Sequence, residues 1–153
     1  MIGIVLRISL LALAAGSVWI NGLFATTDRA WALMGKPAEV YPELFYLLLA
    51  LPLALAAFTG AAAWAWTGFR KQVTGRLMQV VLAIALVALA LSAWWAVQPF
   101  MGYEDHAPDT GSWTEVVSTV LFLGSPVLMV VQFVLSIAVV ASASRAGARS
   151  ARR

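Results

Sequence analysis

Four runs of about 20 or more mostly apolar residues divide this chain, and each is long enough, as a helix, to cross the roughly 30 Å hydrocarbon core of a bilayer. They cover about residues 4–24, 42–69, 77–97 and 115–142. The rest of the composition agrees: 62% of residues are hydrophobic and 11% charged, against about 45–50% and about 25% in soluble domains. The expected fold is an all-α integral membrane protein, a four-transmembrane-helix bundle. With 153 residues there is little material for a separate soluble domain, so the expectation is one membrane domain over residues 1–143 and a basic tail over 144–153.

Local signals fit these boundaries. Pro42 and Glu43 suit a helix start, because proline is tolerated at the first position and a carboxylate complements the amino-terminal dipole. The third run closes at Gln98-Pro99, and Ser112 with Glu115 forms a capping-box pattern before the fourth. Pro52 and Gly124-Ser125-Pro126 fall inside runs, where they are expected to kink a helix rather than end it, since neighbouring helices can satisfy the freed carbonyls.

Charge sets the expected orientation. With the amino terminus inside, Arg7, Arg70, Lys71, Arg76, Arg145, Arg149, Arg152 and Arg153 fall on the cytoplasmic side, and only Arg29 and Lys36 fall outside. The seven carboxylates, Asp28, Glu39, Glu43, Glu104, Asp105, Asp109 and Glu115, all fall outside. Both termini are therefore expected in the cytoplasm, and the expected location is the plasma (inner) membrane of a bacterium, as a multi-pass protein. Trp19, Trp94, Trp95 and Trp113 lie near outer helix ends and Trp64 and Trp66 near the inner end of the second, as interfacial indoles do. A cleavable signal peptide is disfavoured for the first run, whose one charge, Arg7, sits within an apolar stretch longer than a usual signal core. Arg7 is close enough to the inner surface to snorkel.

The chemistry available at depth is limited. No Asp, Glu, Lys or His lies mid-span, which disfavours carboxylate-coupled transport, and a single histidine cannot supply the axial ligands of a b-type haem. The chain has no cysteine, no phosphate-cradling glycine loop, no zinc motif and no RNA-binding signature. No catalytic residue, cofactor or nucleic-acid partner is implied.

Small and mildly polar residues remain. Ala50, Ala54, Ala57 and Ala61 form one face of the second helix, with Ala56 and Gly60 beside it, and Ser9, Ala12 and Gly16 mark the first. Such faces let helix backbones approach closely. On the fourth helix Ser118, Ser125 and Gln132 recur every seven residues, with Thr114 and Ser136 beside that line. A sustained polar stripe rarely faces lipid, so it is expected in helix packing or along a pathway.

The outer stretch GYEDHAPDTGSW places Glu104, Asp105, His106 and Asp109 within six residues. Oxygen ligands with an imidazole could hold a divalent cation, yet the spacing matches no EF-hand or zinc pattern and Pro108 and Gly111 describe a turn. These four are the weak metal candidates. The leading expectation is a non-catalytic accessory or scaffold subunit that associates through small-residue helix faces with itself or a larger membrane complex, with the lipid bilayer as its medium. The alternatives are a homo-oligomeric channel or facilitator lined by the fourth helix, and an outer-loop ligand or metal-binding protein.

Overall fold

The computed structural model describes residues 2–26, 46–70, 75–97 and 113–150, and within the last stretch the side chains of 120–145. Every element among them is helical: α1 (Ile2–Thr26), a single π turn (Tyr46–Ala50) running directly into α2 (Leu51–Phe69), α3 (Arg76–Val97) and α4 (Trp113–Ser150). Four stretches, Gly3–Thr26, Tyr46–Phe69, Arg76–Val97 and Val120–Arg145, are long and apolar enough to cross a membrane. Large apolar side chains face outward on all four, among them Leu13, Leu47, Val87, Leu123 and Phe133. A soluble protein rarely presents so much contiguous apolar surface.

Successive helices run antiparallel. Arg7 of α1 meets Trp64 of α2 and Phe24 meets Tyr46, while Thr67 meets Met78 of α3 and Tyr46 meets Trp95. α2 is the centre of the bundle and packs against each of the other three helices. In a square up-down bundle α2 and α4 would sit diagonally; here they touch along their length. The composition of α2 permits this, because Ala50, Ala54, Ala56, Ala57, Gly60, Ala61, Ala63 and Ala65 are all buried and let three neighbouring backbones close in. The exposed large apolar side chains of the π turn and α2 are Leu47, Leu48, Trp66 and Phe69.

α4 runs without interruption through Gly124-Ser125-Pro126 and on to Ser150. At about 1.5 Å per residue it is about 57 Å long, well beyond a bilayer core. The basic segment expected as a tail from 144 is therefore helical through Ser150. Alanine and arginine favour this continuation and no proline intervenes, while Gly147 opposes it by about 1 kcal/mol.

Candidate functional site

Three buried polar seams hold the helices together. The first lies between α2, α3 and α4. Gln132 is fully buried, and its Nε2 donates to the carbonyl of Val81 at 2.8 Å. Gly60 makes room for it, since a Cβ at that position would overlap Gln132 Nε2 and come within 2.7 Å of Ala85 Cβ. Gln132 Oε1 and, one turn further on, the buried Ser136 Oγ have no hydrogen-bond partner.

The second seam joins α4 to the π turn. Pro52 has no N–H to offer the carbonyl of Leu48, four residues earlier. The buried Ser125 hydroxyl donates to that same carbonyl at 2.6 Å. A proline that would leave an acceptor open in an apolar bundle is thus matched by a serine from a neighbouring helix.

The third seam joins α1 to α3. Ser17 and Ser92 hydroxyls lie 2.8 Å apart, and Ser92 also donates to the carbonyl of Leu89, which leaves Ser17 to donate to Ser92. Asn21 Nδ2 donates to Ser17 O, Ser17 Oγ and Ser92 O at 2.9–3.2 Å. All three side chains are buried, and Asn21 Oδ1 has no partner. The sequence reading did not single out this cluster. Its signal was present: an amide in an apolar run, one turn after a serine. Nearby, Tyr46 is buried against Phe24 and its hydroxyl donates to the carbonyl of Trp95 at 3.1 Å.

Arg7 of α1 is engaged by α2. Its Nη1 donates to the carbonyl of Trp64, and its Cζ stands 4.6 Å from the centroid of the Trp64 ring. Gly68 leaves the notch in which the guanidinium sits.

The small-residue face of α1 is not packed inside. Ser9, Ala12 and Gly16 are exposed, and with Ser17, Leu86, Ala90 and Ala93 they line an apolar groove of about 980 Å³ between α1 and α3. The small-residue face of α2, by contrast, is consumed by the bundle.

Among the expected site residues, Ser125, Gln132 and Ser136 are buried, while the side chain of Ser118 and the whole of Glu104, Asp105, His106 and Asp109 lie outside the described residues. Among the described residues no three His, Cys, Asp or Glu side chains come together as a metal site would require. Apart from Ser136, the hydroxyls and amides described above bond backbone carbonyls or one another, and none of those bonds pairs a nucleophile with a base. No family model, curated protein or solved structure matches the chain.

Proposed function

We propose that this chain is a small non-catalytic polytopic membrane protein, an accessory or scaffold subunit that associates with itself or with a larger membrane complex. Both termini lie in the cytoplasm and the location is the plasma membrane of a bacterium. The one-sided distribution of basic residues supports that orientation.

One contrast carries the functional reading. Ser125 and Gln132 of α4 are engaged with other helices of the same chain, whereas the small-residue face of α1 is open. A pathway along α4 would need Ser125 and Gln132 to face a lumen, and their bonds to Leu48 and Val81 point into contacts within the chain. An open small-residue face is the kind of surface on which a further helix packs in a membrane. The test is the mass of the tagged chain purified in mild detergent. The expected result is a stoichiometric assembly, either a homo-oligomer or a complex with a larger membrane partner. A lone monomer under conditions that preserve other complexes of the same membrane would overturn the proposal.

A further inference from the structure

The geometry around Arg7 points to a ligand. We propose that the α1–α2 seam is a headgroup site for an anionic phospholipid, in which the Arg7 guanidinium holds the phosphodiester.

The guanidinium is positioned in advance. The Trp64 carbonyl accepts from Nη1, the Trp64 ring lies beneath the cation at 4.6 Å, and Gly68 provides the notch that any side chain would fill. A group held in this way loses little conformational freedom when a ligand arrives. It also keeps donors in reserve, since a guanidinium carries five N–H bonds in a planar fork suited to two phosphate oxygens at once. The side chain as a whole is only half-buried between the two helices.

Among the described side chains no carboxylate stands beside Arg7. The helix order gathers Arg7, Arg70, Arg76 and Arg145 at one end of the bundle, and all four are the only charged side chains among those described. In the sequence the seven carboxylates fall between α1 and α2, between α3 and α4, or at Glu115 near the start of α4, and none adjoins Arg7, Arg70, Arg76 or Arg145. A partly desolvated cation at a membrane edge calls for an anion from outside the chain. Basic pockets between transmembrane helices recognise lipid phosphates in this way.

The surroundings favour a lipid over a free phosphate. Ile4, Ile8 and Phe69, on the two helices that form the seam, are 54%, 53% and 52% exposed and offer apolar surface for acyl chains.

Two variants that keep the net charge test the site. Gly68→Ala fills the notch, and Arg7→Lys keeps the cation but removes the fork. Each is purified into nanodiscs of equal phosphatidylglycerol and phosphatidylcholine, and the ratio of the two lipids retained on the protein is read by native mass spectrometry. The wild type is expected to prefer phosphatidylglycerol, and both variants to lose that preference by about fivefold or more. Inorganic phosphate at millimolar concentration is expected not to displace the lipid. An unchanged ratio in a folded variant would show only diffuse attraction to a basic end and would overturn the proposal, as would displacement by inorganic phosphate. Arg7→Lys, which leaves Gly68 and Trp64 untouched, carries the test if Gly68→Ala fails to fold.

Discussion

Gly60→Ala is the sharpest probe of how the bundle closes. The added Cβ would stand 2.7 Å from Ala85 Cβ and 3.1 Å from the Val81 carbonyl oxygen, and would overlap Gln132 Nε2. Two of these neighbours belong to α3, so α2 and α3 must separate or Gln132 must leave its place. Overpacking of this kind costs about 1–3 kcal/mol. Losing the bond from Gln132 to Val81 adds about 0.6 kcal/mol, the average for such a bond in a membrane. Against these stands the gain of about 1 kcal/mol when alanine replaces glycine inside a helix. The net loss is expected between about 0.6 and 2.6 kcal/mol. Reversible unfolding in mixed micelles measures it. Gly124→Ala is the control, because a Cβ there meets nothing within 4 Å, and it should leave stability unchanged or raise it by up to about 1 kcal/mol. Introducing Ala85→Gly beside Gly60→Ala should show a favourable coupling of at least about 0.5 kcal/mol in a double-mutant cycle. A Gly60→Ala protein as stable as the wild type, or the absence of that coupling, would refute the close approach.

Ser125→Ala should destabilise the chain by about 0.6 kcal/mol, up to about 1.7, and the loss should shrink when Pro52→Ala restores an N–H for the Leu48 carbonyl; equal losses in both backgrounds would separate the two residues. A cycle of Ser17→Ala and Ser92→Ala should give a coupling near 0.6 kcal/mol, and additive effects would contradict the bond between them. Single cysteines placed at 72 and 148 should resist an impermeant thiol reagent in whole cells, while those at 34 and 106 should react; labelling at 148 but not at 106 would reverse the orientation. His106→Ala should change stability by no more than about 0.5 kcal/mol. A divalent cation that raises the melting temperature of the wild type but not of this variant would restore the metal reading.

Helix number and extent were legible because length and hydropathy are one-dimensional properties. The spans expected at 4–24 and 77–97 correspond to α1 (Ile2–Thr26) and α3 (Arg76–Val97). Lateral arrangement was legible only where Ser125, Gln132 and Ser136 mark the inner face of α4; elsewhere lipid-facing and protein-facing positions are equally apolar. The centrality of α2 nevertheless left a trace in its density of alanine. Arg7 shows a further limit. Its depth in the run suggested snorkelling, whereas its contact with the Trp64 carbonyl depends on a notch at Gly68, 61 residues away in sequence, which no local pattern announces. The Ser125 pairing is of the same kind, because Pro52 announces an unsatisfied carbonyl without saying which helix answers it.

Association through the open face of α1 is tested most directly by Gly16→Leu, compared with the wild type for assembly mass and for unfolding. A Cβ at Gly16 meets nothing within 4 Å, and Gly16 opens onto the groove of about 980 Å³, which leaves room for the larger side chain. The account predicts a chain that unfolds like the wild type yet no longer forms the assembly. A Gly16→Leu chain that assembles to the wild-type mass would contradict it.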